Sequence, residues 1–162
     1  MASILKTDKI EGVTSSGTVQ MPAGHVIQTV ITASSSDIDT TSSSFVATGL
    51  IVSITPKFSN SKIVITWSGN FYINQDNGHG YFQFYRDSTA LGHSTEGNRL
   101  YQAGDDGKAR WQSVTIVHLD EPNTTSTVTY KIYIKSNASS ATFRICYGTN
   151  YYSDFTLQEI RV

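Results

Sequence analysis

The side chains of this 162-residue chain that could do chemistry are four histidines, one cysteine and a scatter of loop carboxylates. His25, His79, His93 and His118 lie far apart and form neither HxxxH nor HExxH, the spacings that bring two imidazoles to one zinc. His118 falls within a strand-like run and suits a hydrogen-bonded interior or interface histidine. Asp37 with Asp39, Asp76 with Asn77, and Asp105 with Asp106 offer oxygen ligands of the kind calcium takes. None fits the EF-hand loop, and turns favour Asp and Asn for conformational reasons alone. Cys146 follows Arg144 in an apolar run and reads as a small packed residue rather than a nucleophile. There is no GxSxG and no glycine-rich phosphate loop. Glu96, Asp105, Asp106 and Asp120 could converge as the paired carboxylates of a glycan hydrolase, on a thin frame for a processive enzyme. The expectation is a non-enzyme with no cofactor and no metal.

Binding through loops is what remains. Three stretches carry Tyr, Asn, Asp, His and Arg together: 75–79, 88–109 and 148–153. Aromatic faces beside hydrogen-bonding side chains suit both saccharide recognition and protein contact. Asn77, His79, Arg99, Tyr101, Asp105, Tyr151 and Tyr152 are the candidate binding residues. Solvated loops with no ligand remain the alternative.

The elements that must position these loops are strands. In KIVITWSGNFYIN (62–74), Ile63, Ile65, Trp67, Phe71 and Ile73 share one parity and a mostly polar set shares the other. Alternation of that kind writes a strand with one buried face. Gly69 marks a bulge or a close backbone approach. Asp-Asn-Gly then tolerates positive φ, and GYFQFYRD follows, which predicts a central hairpin over Lys62–Asp87 with its tip at Gln75–His79. HVIQTVIT (25–32), Phe45–Thr55 broken near Gly49, TVTYKIYIK (127–135), ATFRICYG (141–148) and DFTLQEIRV (154–162) add further strands. RWQSVTIVHLD (110–120) has apolar residues on both parities, as a strand buried on both faces would. The polar run 33–44 is either a loop across one domain, the favoured reading, or a linker. Eight or nine strands with regular turn signals and no helix predict an all-β, antiparallel jelly-roll β-sandwich. The last strand is expected to pair within a sheet.

Length allows about one domain with its own core. Charge is low, 15% Asp, Glu, Lys and Arg with a net of −1, so neither nucleic acid nor an anionic membrane is an expected partner. Ser and Thr make up about a quarter of the residues. No apolar run approaches the roughly 20 residues of a membrane helix. The first residues lack the apolar core of a signal peptide, so synthesis in a cytoplasm without the usual secretory route is expected. Residues 1–23 disperse small apolar side chains among polar ones and form no core of their own. They read as an extended arm, with Ile4, Leu5, Ile10 and Val13 as candidate anchors, and residues 24–162 as the jelly-roll domain.

Two stretches of order resemble known proteins. MASILKTDKIEG followed by PAGHVIQ is similar to the starts of tail-fibre-like and other small virion proteins of tailed bacteriophages. KIVITWSGNFYIN, GYFQFYRDSTALG and YYSDFTLQEI come in the order of pieces seen in jelly rolls of the C1q and tumour-necrosis-factor type. The resemblance covers nearly the whole chain through the order of pieces rather than a specific motif. It implies a homotrimer in a virion made in the host cytoplasm, with the arm holding other virion proteins. The implied role is a tail fibre or appendage that attaches to a host-surface glycan or protein. A capsid decoration protein that stabilises the head is the alternative, and a glycan depolymerase the third. The residues add support for self-association. Trp111, Val114, Ile116, Val117 and Leu119 occupy both parities and cannot all enter one core. Tyr72, Tyr81, Tyr85 and Tyr133 fall opposite the apolar parity of their strands or beside it, where a ring is buried by a neighbour while its hydroxyl stays wet. Tyr72, Tyr81, Tyr85, Trp111 and Tyr133 are therefore the candidate subunit interface.

Overall fold

A computed structural model describes residues 22–74, 78–93, 95–101, 111–146 and 152–162. The anchors Ile4, Leu5, Ile10 and Val13 lie outside them. Eleven strands and no helix occur among the described residues: β1 (Val26–Ser34), β2 (Ile38–Thr40), β3 (Val46–Ile54), β4 (Lys62–Ile73), β5 (His79–Arg86), β6 (Thr89–Ala90), β7 (Asn98–Tyr101), β8 (Trp111–Asp120), β9 (Val128–Ser136), β10 (Phe143–Ile145) and β11 (Ser153–Ile160). They form two antiparallel sheets packed face to face. The larger runs β1-β11-β4 with β8 on the other side of β4, and β10 and β2 continue it at the far end of β4. The smaller runs β3-β9-β5, with β6 and β7 both pairing to β5. Setting aside the short β2, β6 and β10, one sheet holds the first, eighth, third and sixth strands and the other the second, seventh, fourth and fifth. That order is a jelly roll, as expected from the alternation and turn spacing.

The core is the set of inward parities. Ile63, Ile65, Trp67 and Ile73 of β4 meet Phe82 and Phe84 of β5, Tyr130, Ile132 and Ile134 of β9, and Phe155 and Leu157 of β11, all essentially without solvent exposure. Rings lock the sheets together: Trp67 lies 4.8 Å from Phe82, and Phe84 stacks on Phe155 at 5.9 Å. The β5 backbone passes so close under Phe143 that a Cβ at Gly80 would sit 2.2 Å from its ring.

The predicted hairpin over Lys62–Asp87 does not form. β4 and β5 follow one another in sequence but belong to different sheets, so the chain crosses the sandwich between them. The physical reason is that both edges of β4 are already taken. β8 pairs along one from Ile63 to Tyr72, while β11 and then β10 pair along the other. The apolar face of β5 therefore closes the core from the opposite side.

Other expectations meet mixed outcomes. Gly49, at φ 80°, interrupts β3 where the register with β9 shifts between Ala47 and Ile51. The Thr48 hydroxyl repairs the gap by donating to the Ile132 carbonyl at 2.8 Å. At Gly69 the ladder with β8 runs on without a shift. Its role is the close approach, because a Cβ there would meet the Ser153 hydroxyl at 2.3 Å. β8 is not buried on both faces: Ile116 and Asp120 point inward, while Trp111, Val117 and Leu119 face solvent on the open side of an edge strand. The 88–109 region holds β6 and β7. The final strand is paired on both sides, to β1 and β4.

Two buried carboxylates tie the sandwich. Arg86 of β5 donates at 2.9 Å to both carboxylate oxygens of Asp120 on β8, and Tyr130 of β9 donates to the same group at 2.7 Å. One acid thus links the two sheets, and it pushes the Tyr130 hydroxyl pKa upward, burial being the larger cause. Glu159 of β11, also buried, accepts the Lys57 backbone N–H at 2.7 Å and the Gln28 amide, pinning the β3–β4 turn. Asp120 is accordingly a tie between the two sheets, with both carboxylate oxygens engaged. Asp120→Ala strands a guanidinium and a hydroxyl, so urea denaturation should show a loss of about 3–5 kcal/mol. Breaking the exposed Lys62–Glu121 pair with Lys62→Ala should cost no more than about 1 kcal/mol.

Candidate binding surface

The candidate binding residues divide between the two outer faces of the sandwich. Asn77, Asp105 and Tyr151 lie outside the described residues. His79, Arg99 and Tyr101 come together on the smaller sheet, because β5 and β7 pair His79 with Tyr101 and Tyr81 with Arg99. Arg99 reaches the His79 Nδ1 at 3.4 Å and lies 5.7 Å from the centre of the Tyr101 ring. A guanidinium only donates, so Nδ1 is the acceptor, and the proton sits on Nε2, which donates to the Tyr81 hydroxyl at 3.1 Å. Burial first, and the Arg99 charge second, lower the His79 pKa from its ordinary 6.5.

The same face carries the remaining smaller-sheet tyrosines. Tyr85 packs on Tyr133 with ring centres 4.3 Å apart. The Lys135 ammonium lies 4.6 Å from the Tyr81 ring and 4.8 Å from that of Phe45. Tyr81, Tyr85 and Tyr133 are thus half-buried by neighbours within the chain.

Tyr72, Trp111 and Tyr152 belong to the outer face of the larger sheet. Trp111 and Tyr72 are cross-strand partners whose rings pack at 4.5 Å. There a cleft of about 330 Å³ opens, lined by Ser68, Asn70, Trp111, Ser113, Tyr152 and Asp154. Its origin is a change of neighbour along β4. The β11 ladder reaches Ser68 opposite Asp154 and the β10 ladder starts at Phe71 opposite Ile145. Between them Ser153 packs against Gly69 and the Cys146 N–H donates to the Asn70 carbonyl at 3.2 Å, so the cleft lies on the outer face where the neighbouring strand changes. Trp111 is 47% and Tyr152 72% exposed, high values for rings of that size. Ser68, Asn70, Ser113 and Asp154 escape sequence reasoning. The polar parity of β4 marks the first two, but nothing in the sequence says that β8 and β11 flank them.

The other chemically able side chains are engaged elsewhere. Asp37 and Asp39 hold Arg144, at 3.4 and 2.7 Å, instead of standing open as cation ligands. His25 Nδ1 donates to the Pro22 carbonyl and His93 Nδ1 accepts the Glu96 N–H, each closing a turn. His118 is half-buried on the inward parity of β8. Cys146 is fully buried. Trp67 and Ser153 give its sulfur polar neighbours that fall short of hydrogen-bond geometry, and burial dominates, pushing the thiol pKa upward. It sits at φ 57° just past β10, packed in the core.

The His79 arrangement has a pH consequence. A histidine whose folded pKa is depressed is protonated more readily in the unfolded chain, so stability is full above 6.5 and falls as pH drops from there through the folded value. The His79 Hε1 resonance should titrate below 6.5. Arg99→Gln should move the midpoint up without restoring it fully, because burial remains. The melting temperature of His79→Gln should fall less than that of wild type between neutral and mildly acidic pH.

No protein-family model and no curated protein matches the chain. Among solved structures, it is similar to a chain in the structure of infectious bursal disease virus, Gx strain, at 9% identity and a TM-score of 0.31. The match covers 99% of this chain and 43% of that one, so this chain spans less than half of the viral chain's length. At that score the likeness carries no argument about function.

Proposed function

We propose that the protein is a non-enzymatic structural component of a bacteriophage particle: a homotrimeric fibre or appendage subunit that contacts the host surface, held to other virion proteins by its N-terminal arm. The observation that carries the reading is the open outer face of the larger sheet. Val117 and Ile31 are each 60% exposed and Leu119 51%, and register places Val117, Thr66, Thr156 and Ile31 in one cross-strand row. β8, which ends this face, pairs on one side alone among the described strands. An edge strand with outward apolar side chains favours a neighbouring copy, which shields both the side chains and the free edge. The resemblance of the opening residues to phage virion proteins supplies the setting.

Sedimentation equilibrium should give a mass three times the 17.8 kDa of one chain. Val117→Glu combined with Leu119→Glu should give folded monomers, since two carboxylates cannot be desolvated in that contact. A monomeric wild-type protein at micromolar concentration would count against the reading. Cryo-EM of the particle tests the location, and density on the head would replace the fibre role with capsid decoration.

A further inference from the structure

We infer that the cleft between β4, β8 and the start of β11 is a saccharide site that takes a neutral or amino pyranose of a surface glycan. This rests on the attachment role proposed above and names its chemistry. A pyranose has a C–H face that seeks an aromatic plane and a rim of hydroxyls that seeks hydrogen-bond partners. The cleft offers both. Trp111 presents a half-exposed indole packed against Tyr72, and Tyr152 brings a second, more exposed ring to the same opening. The Trp111 ring, packed on Tyr72 before binding, loses little conformational freedom when a ligand arrives.

The polar lining matches the hydroxyl rim. Asn70 brings an amide, Ser68 and Ser113 bring hydroxyls, and Asp154 brings a carboxylate that no described residue engages through its side chain. A carboxylate accepts from two adjacent sugar hydroxyls or from an ammonium, and it repels uronic and sialic acids, which sets the charge class of the ligand. At about 330 Å³ the cleft is at the small end of the range of roughly 300–1,000 Å³ for ligand pockets, the size for a sugar unit rather than a long peptide. Asp154 is the one carboxylate among its described lining residues, whereas glycoside hydrolysis uses two. The site binds and does not cut.

The sequence has two tryptophans, and Trp67 is fully buried, so Trp111 is a local reporter. The purified full chain is applied to an array of bacterial surface polysaccharides and neutral, amino and acidic oligosaccharides. Positive sugars are then titrated while acrylamide quenching of tryptophan emission is followed. Saturable binding of a neutral or amino sugar, protecting Trp111 from quencher, is the expected result. It should weaken about tenfold or more in Trp111→Ala and in Asp154→Asn, and recover in part in Trp111→Phe, with circular dichroism unchanged. Sugar binding that survives Trp111→Ala and Asp154→Asn, or a preference for acidic sugars, would overturn the assignment while leaving the attachment role intact. No binding on the array, with purified protein still blocking adsorption of particles to cells, would also overturn the saccharide site alone. Absence of both would remove the attachment role with it. Release of reducing ends from a bound polysaccharide would overturn the non-cutting site.

Discussion

Both edges of β4 are hydrogen-bonded, and the rest of the sandwich follows from that constraint. With β8 along one edge and β11 then β10 along the other, the strand has no room for β5, although β5 comes next in the chain. The two apolar faces can still meet across the core, as the contact between Trp67 and Phe82 shows. A strand filled on both edges is thus what turns a run of antiparallel elements into two layers. The same constraint sends β8 to the margin of its sheet, and the outer-face cleft lies where β11 gives way to β10.

Apolar burial alone would let the layers slide, since it is non-directional. Directional ties come from the buried acids. Asp120 binds one residue from β5 and one from β9, so the end of β8 is set against the smaller sheet at one angle. Glu159 fixes the turn that leads into β4 by holding the Lys57 N–H. Buried ion pairs add little net stability over an apolar replacement, yet removing one partner is costly. Their contribution here is to alignment: they act at the strand ends, where the Ile and Phe side chains of the middle no longer constrain the register.

Much of this was legible in the residues. The parity of Ile63, Ile65, Trp67, Phe71 and Ile73 reports a buried face because period-two alternation has one structural meaning. It reports the face and not the sheet, so Asp-Asn-Gly between two strand-like runs read as a hairpin although the chain changes layers there. On β8, Val117 and Leu119 resemble a second buried face, because side-chain type cannot tell an interior from an open outer surface. The cleft was legible in pieces. From sequence, Trp111 belongs to a strand with apolar residues on both parities and suits a subunit interface, while Tyr152 belongs to a binding loop. Their meeting depends on β8 and β11 flanking the same stretch of β4, a long-range pairing that no local pattern encodes. Asp154 and Ser113 were silent for the same reason: an acid and a serine in polar positions look like any solvated face.

The outer face of the larger sheet therefore has two ends with different character, and the distance between them decides whether both can work at once. Val117 and Trp111 lie on the same side of β8, six residues apart, which is roughly 20 Å at about 3.3 Å per residue. A neighbouring copy seated on Val117, Leu119 and Ile31 covers one end and leaves the Trp111–Tyr152 end at the rim. In the proposed trimer three clefts would sit on one assembly, and linked sites would convert weak single-sugar contacts into strong attachment to a repetitive glycan. Each proposed site could then be weak and reversible on its own. A contact centred on Trp111 itself would bury the cleft and remove that property. The exposed apolar row and the aromatic cleft are compatible because the edge strand is long enough to keep them apart.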